Sequence, residues 1–407
     1  MFTIAKDFQQ LPRQLYFIFL CSLVNRLGMF VYPFLTLYLV NGRGLSVAAA
    51  GTMLSVGSLG MILGNLLSGS LVDRWQAKGV ILLSFSINIF GYWGLMTQDA
   101  SPYAYTFFLF VGLLGMGMYG PAGNLLIAKL SSTEQRQFAY ANDYVFKNLG
   151  MAFGPLLGGV LAVRSFELVF YGDILSKTIC LLLIYFGLKA TIGGSQQEAQ
   201  PTQNNRSIIQ LLLASPALTI FCLSGILLIG VLFGMEYLVP LLLKNVFHTS
   251  EIMVGAVYTL NAAIVLCASF IVERLIRDRS EPFMMVISAC FWVAGMLTIV
   301  IGFNTTALLL GITFWSLGEI IYSIILPAYV SKNAPEHCKG RFLALVDLTV
   351  SGARIIFPAL LGYIWFNYDV QSALWLLTVM PTLGLLVYAS IFLLHSRRST
   401  VLEATGD

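Results

Sequence analysis

The sequence predicts an all-α integral membrane fold of twelve transmembrane helices in two six-helix bundles, and three observations carry that prediction. Hydrophobic residues make up 58% of the 407 residues and charged residues only 10%, with a mean hydropathy of +0.83; a water-soluble chain is about a quarter charged. Apolar runs long enough to cross a ~30 Å hydrocarbon layer recur along the chain between short polar breaks. The two halves also echo each other in sequence. Because the runs lack the period-two alternation of barrel strands, each is expected to satisfy its backbone as a helix.

The twelve spans fall at 15–40, 46–71, 79–97, 103–128, 138–163, 167–189, 214–243, 250–272, 282–302, 305–331, 341–366 and 371–394. The first is too long for a secretory signal, has no small-residue cleavage site and carries Asn25 and Arg26 at its centre, so it is kept as a span. The longest break contains TIGGSQQEAQPTQNNRS and reads as a flexible linker over 190–213. It separates an N-terminal bundle, 1–189, from a C-terminal bundle, 214–407. With the N-terminus in the cytoplasm, sixteen loop or span-end Lys and Arg residues fall on the cytoplasmic side and three, Arg43, Arg164 and Lys244, on the other. The positive-inside rule therefore places both termini in the cytoplasm. The net charge of +4 is a topology signal and gives no reason to expect a nucleic-acid partner.

A duplication explains the echo. PAGNLLIAKLSSTEQRQFAYAND, from Pro121 to Asp143, is followed by Pro155 and Gly159; PAYVSKNAPEHCKGRFLALVD, from Pro327 to Asp347, is followed by Pro358 and Gly362. The offset drifts only from 206 to 203, and Asp73-Arg74 after span 2 is matched by Glu273-Arg274 after span 8. Six spans per half give both halves the same orientation, a parallel repeat about an axis along the membrane normal.

At these residues the chain resembles a known family. GNLLSGSLVDRWQAK, 64–78, is similar to the loop signature between spans 2 and 3 of the major facilitator superfamily. NLGMAFGPLLGGVLA, 148–162, resembles the span 5 motif of its proton-coupled drug antiporters, with Gly150, Gly154, Pro155, Gly158 and Gly159 in place. Two departures stand out: Asp73-Arg74 is followed by Trp75, Gln76, Ala77 and Lys78 without the usual Gly and basic pair, and span 4 lacks the Arg that many such antiporters carry. The resemblance implies the major facilitator fold, a conformational latch at Asp73, Arg74 and Lys78 with its echo at Glu273 and Arg274, and close helix packing along the span 5 glycines. It also implies a cavity lined by spans 1, 4, 7 and 10.

Once the charges at loops and span ends are set aside, nine remain within spans: Arg26, Asp143, Lys147, Asp173, Lys177, Glu236, Glu319, Asp347 and Arg354. A charge at mid-bilayer costs at least ~2.5–3.5 kcal/mol, so each is expected to meet a partner or water. Asp143 with Lys147 and Asp173 with Lys177 are spaced i, i+4, and Asp347 shares a face with Arg354; these six are expected to neutralise one another. Asp143 and Asp347 are also placed near enough to the cytoplasmic ends to be wet. Arg26, Glu236 and Glu319 remain, all on the helices that the resemblance assigns to the cavity. Desolvation favours a neutral carboxyl, so an acid that alternates between dry and wet surroundings takes up and releases a proton. Glu319 is the first candidate for that role, Glu236 the second, and Arg26 their counter-charge; the competing reading is a static Glu319–Arg26 pair. Asn25, Tyr119, Asn124, Tyr237, Trp315 and Tyr322, on the same spans, are candidates for contact with an amphipathic solute.

The six cysteines show no CxxC or metal spacing, the three histidines (His248, His337, His395) are far apart, and no HExxH, GxSxG or GxxxxGK[ST] motif occurs. No metal, cofactor, enzymatic activity or ATP drive is therefore expected. The reading is a secondary active transporter of a bacterial-type inner (plasma) membrane, a monomer whose partners are the lipid bilayer, a small-molecule substrate and protons. It is expected to export an organic or amphipathic solute in exchange for protons by alternating access. The alternative is a proton-coupled importer of a peptide, siderophore or metabolite, because NRLGMFVYPFLTLYL distantly resembles span 1 of proton-coupled peptide importers.

Overall fold

The computed structural model of the chain describes residues 11–97, 101–188, 215–276, 279–335 and 339–405; the expected linker lies outside them. Among the described residues are twelve helices long and apolar enough to cross a membrane, and no strand. Span 1 is built from α1a (Arg13–Leu27), α1b (Val31–Leu37) and a π-helical turn (Tyr38–Gly42). The next five are α2 (Val47–Arg74), α3 (Ala77–Thr97), α4 (Pro102–Leu130), α5 (Thr133–Arg164) and α6 (Phe166–Gly187). Span 7 is α7 (Pro216–Leu241) with a second π-helical turn (Leu242–Val246). The remainder are α8 (Glu251–Ile276), α9 (Glu281–Gly302), α10 (Thr305–Asn333), α11 (Lys339–Asn367) and α12 (Val370–Thr405).

Short polar residues start several helices by accepting an orphan N–H. Ser46 accepts from Ala49 at 3.2 Å, Asn304 from Ala307 at 2.9 Å and Asp369 from Ser372 at 2.6 Å. The Ser372 N–H bond holds the Asp369 carboxyl below the usual carboxylate range. Cations finish other helices, where the carbonyl ends are negative. Lys78 donates to the carbonyls of Tyr185, at 2.8 Å, and Leu188 at the end of α6. Arg43 reaches the Met96 carbonyl at the end of α3 and bonds the Tyr38 hydroxyl at 2.6 Å, while that hydroxyl donates to the Leu95 carbonyl at 2.9 Å.

The described chain forms two compact units, one holding α1–α6 together with 240–262, the other holding 215–239 and 263–405. In the first unit α1a packs on α5 and α6, α2 on α4, and α3 on α4 and α6. In the second α9 packs on α10 and α12, the counterparts of α3 on α4 and α6, so the sequence repeat is also a packing repeat. Large apolar side chains that hydrocarbon would cover, such as Leu66, Phe186 and Phe270, point outward.

Within a layer that offers no hydrophobic drive between helices, close approach of backbones does much of the holding. A Cβ at Gly64 would lie 2.1 Å from the Leu114 carbonyl oxygen, and one at Gly115 would lie 2.5 Å from Asn88 N. The span 5 motif works on two edges of α5. Gly150 and Gly154 face α1a, where a Cβ would come within 2.6 Å of Arg26 Cβ and 2.7 Å of the Leu27 oxygen, and Gly158 faces Phe34 on α1b. Gly159 lies on the other edge against Glu251 and Ile252, and the Pro155 carbonyl oxygen lies 2.2 Å from where a Gly255 Cβ would be.

The two π-helical turns fall 204 residues apart, in register with the repeat, and place Asn41 and Asn245 side by side. Asn41 Nδ2 donates to Asn245 Oδ1 at 2.7 Å and Asn245 Nδ2 returns a bond to Asn41 Oδ1 at 3.2 Å. Lys244 pairs with Glu251 at 2.6 Å beside them.

Gly154→Val is expected to destabilise the folded protein by about 1–3 kcal/mol through overpacking. Gly69→Ala, where a Cβ meets nothing within 4 Å, is expected to be neutral or slightly stabilising. Thermal unfolding of the two purified variants in one detergent checks this; a Gly154→Val protein that melts with the unmodified chain would contradict it.

Candidate functional site

The sequence reads span 1 as one uninterrupted helix, but the structure breaks it at 28–30. The break leaves carbonyls at the end of α1a and N–H groups at the start of α1b within the membrane layer, where an unsatisfied group costs several kcal/mol. One turn of α6 serves both ends. Asp173, fully buried, accepts the Val31 N–H on Oδ2 at 3.0 Å. Lys177 pairs with Asp173 Oδ1 at 3.1 Å and donates to the Asn25 carbonyl at 3.3 Å. Ser176 shares its hydroxyl hydrogen between the Asp173 carbonyl at 2.7 Å and the Gly28 carbonyl at 3.2 Å, and a Cβ on Gly28 would lie 2.0 Å from Ser176 Cβ, so only glycine permits the approach. The carboxylate faces a helix start and the ammonium a helix end, as the helix dipoles require. The pair expected to neutralise itself does so, and it also joins the two pieces of the span.

Ser22, Asn25 and Arg26 lie on the last two turns of α1a. Ser22 Oγ donates to Asp143 Oδ1 at 2.5 Å and lies 3.0 Å from the Tyr119 hydroxyl, while Lys147 pairs with Asp143 Oδ2 at 2.6 Å. Asp143 was expected to be wet near a helix end; it is 3% exposed, because Ser22 of α1a and its own Lys147 close over it. Its repeat counterpart Asp347 is exposed. Arg26 is half-buried, its stem against Gly150 and its Nη1 3.9 Å from Met29 Sδ and 4.0 Å from Met151 Sδ. Asn25 is half-buried and Asn124 is exposed; the Asn124 carbonyl accepts the Tyr140 hydroxyl at 2.9 Å. Ser22 went unremarked in the sequence, although it stands four residues before Arg26 on one helix face.

In the second unit Glu236 on α7 and Glu319 on α10 are half-buried. Of the aromatic candidates, Tyr237, Trp315 and Tyr322 are 2–4% exposed. Trp315 stacks on Trp292 with ring centroids 6.3 Å apart, and the Tyr322 hydroxyl lies 2.8 Å from where a Gly225 Cβ would be. The Arg354 guanidinium lies over the Phe233 ring, 4.3 Å from its centroid. Of the residues assigned to a latch, Arg74 and Arg274 are exposed and Glu273 half-buried. Lys78 ties the start of α3 to the end of α6. The Asp73 side chain lies outside the described residues.

The model of the Major Facilitator Superfamily matches residues 18–358. The chain belongs to the major facilitator superfamily. It is 24% identical over 392 residues to the uncharacterized MFS-type transporter YttB of Bacillus subtilis (strain 168), spanning 95% of this chain and 96% of that one. A Na(+), Li(+), K(+)/H(+) antiporter of Planococcus maritimus is 22% identical over 404 residues, 91% of this chain and 93% of that protein. Among solved structures, the nucleoside transporter NupG superposes with a TM-score of 0.76 at 14% identity over 94% of this chain and 99% of that chain. This member of the superfamily is therefore a multi-pass membrane transporter of the major facilitator fold.

The staple at span 1 has a testable polarity. Lys177→Met, which leaves the Asp173 charge buried without its partner, is expected to destabilise by about 3–5 kcal/mol. The double exchange Asp173→Lys with Lys177→Asp keeps an ion pair but turns each charge against its helix end, and it is expected not to restore the melting temperature. Restoration by the exchange would show that pairing alone matters.

Proposed function

We propose that this transporter exports a small organic or amphipathic solute in exchange for protons by alternating access, in a bacterial-type inner membrane with both termini cytoplasmic. The observation that carries the reading is Glu319. It stands fourteen residues from each end of α10 (Thr305–Asn333), half-buried in the middle of a span. An acid at that depth is neutral when dry and ionises when water reaches it, which couples proton binding to the state of the protein. Glu236, five residues before the end of α7 at Leu241, is the second carboxylate, placed toward the outer side. Arg26 supplies a cation at mid-span, and Asn25 and Asn124 supply polar contacts for the solute. The likeness to an antiporter that exchanges cations for protons supports exchange as the mode of coupling. It also favours a second reading, in which the exported solute is a monovalent cation.

In inverted membrane vesicles carrying an imposed proton gradient, the unmodified protein is expected to discharge the gradient when its cargo is added from a panel of organic cations, nucleosides, Na+ and K+. Glu236→Gln with Glu319→Gln is expected to reduce that discharge to the level of vesicles lacking the protein. Full discharge by the double variant would overturn the assignment, and a response confined to Na+ and K+ would select the second reading.

A further inference from the structure

The ion pair at the interruption of span 1 is built unlike its neighbours. Lys147–Asp143, Lys244–Glu251 and Lys332–Glu281 close to 2.6, 2.6 and 2.7 Å, and in each the lysine side chain is at least 25% exposed. Lys177 and Asp173 stand 3.1 Å apart with side chains only 6% and 0% exposed. The same ammonium lies 3.3 Å from the Asn25 carbonyl oxygen. Both contacts are longer than the about 2.7–2.9 Å of a charge-assisted hydrogen bond, and Asp173 Oδ1 accepts no hydrogen bond among the described residues. The ammonium is therefore held here mainly by its charge and little by the direction of its N–H groups.

The oxygens that meet it are set in place by other bonds. Asp173 Oδ2 takes the Val31 N–H at 3.0 Å, which leaves Oδ1 for the ammonium. At the end of α1a the Val24 and Arg26 carbonyls accept the N–H groups of Gly28, at 2.9 Å, and Met29, at 3.3 Å, while the Asn25 carbonyl turns to α6. The Ser176 hydroxyl ties Gly28 to the same turn. A carboxylate oxygen and a helix-end carbonyl thus converge on one buried point from two spans. Carbonyls at an unwound segment and at half-helix ends are the groups that coordinate small cations inside membrane transporters. With a single carboxylate the pocket is neutral when it holds one positive charge; a divalent ion would leave an uncompensated charge in a low dielectric.

We propose that the interruption of span 1 is a monovalent-cation site which the chain fills with its own Lys177 ammonium, and that the site, once vacated, takes a primary alkylammonium ion or Na+ from solution. In the unmodified protein the tethered charge keeps both pieces of span 1 on α6 without any dissolved ion, whichever solute is carried.

The test is made on purified full-length protein by thermal unfolding at constant ionic strength. Lys177→Ala keeps Cβ and removes the outer methylenes with the ammonium, the atoms that make up propylammonium. In choline chloride this variant is expected to melt below the unmodified chain. Propylammonium chloride is expected to raise its melting temperature, by an amount that grows with the logarithm of concentration once the site fills; 1-propanol, of the same length without the charge, is expected not to. The readout is the shift beyond that of the unmodified chain, so a cargo cation bound elsewhere cancels and the exchange assigned to Glu319 and Glu236 is not at stake. The double variant Asp173→Asn with Lys177→Ala, which lacks the carboxylate, is expected to show no such excess. An excess confined to Lys177→Ala, or folded Lys177→Ala recovered in propylammonium alone, carries the proposal; no excess, or one that persists in the double variant, overturns it. If Lys177→Ala folds in neither salt, Lys177→Gln decides, because it keeps more of the stem and offers a metal ion an amide oxygen. It is expected to melt higher in Na+ than in choline by more than the unmodified chain does, and the lack of that difference rejects the site.

Discussion

The pairing of Asp173 and Lys177 across the interruption in span 1 is the interaction on which the first unit depends. An unwound segment at membrane depth exposes peptide groups that hydrocarbon leaves unsatisfied. Here one turn of α6 supplies an acceptor to the start of α1b and a donor to the end of α1a. The buried charges satisfy each other and the backbone at once, so neither is an isolated ion in a low dielectric. Ser22, Asn25 and Arg26 all project from the piece of helix that this contact fixes. The α5 glycines then close on the same piece: Gly150 and Gly154 bring the α5 backbone against residues 23–27 of α1a.

The same economy of charge recurs at the membrane boundaries. Arg43 and Lys78 each finish a helix of another span through its terminal carbonyls, so cations that look like loop residues tie spans together. Deep inside, the acids divide into two groups. Asp143 and Asp173 are buried and paired within the first unit. Glu236 and Glu319, in the second unit, are half-buried.

Much of this was legible in the sequence, because hydrocarbon permits so few backbone solutions. Run length and Lys/Arg asymmetry gave twelve helices and an expected orientation, and the glycine spacing of span 5 gave a close-packed face that the structure places against α1a. What escaped was geometry across elements. Nothing in NRLGMFVYPF says that the helix stops, since Gly28 and Pro33 are both tolerated inside membrane helices; the reason lies on α6, in Ser176 and Asp173. Asp143 read as wet from its distance along α5, because the serine that covers it comes from another span. The Asn41–Asn245 pair was missed although its spacing of 204 matches the repeat, since two asparagines in polar breaks carry no signal until the π-helical turns align them. The rings of Trp315 and Tyr322 were expected at a cavity surface, and which face of α10 they occupy was fixed only by Trp292 and the α7 glycine Gly225.

The most direct measurement of this account is amide hydrogen exchange over the segment 24–32, followed by mass spectrometry on the protein in lipid nanodiscs. If α6 holds the interruption closed, the amides at the start of α1b exchange as slowly as those within the flanking helices, although the backbone there is not helical, and Asp173→Ala makes them exchange far faster while the centre of α3 is unchanged. Rapid exchange in the unmodified protein, or slow exchange that survives removal of the Asp173 carboxylate, would contradict the claim that this pair holds span 1 together.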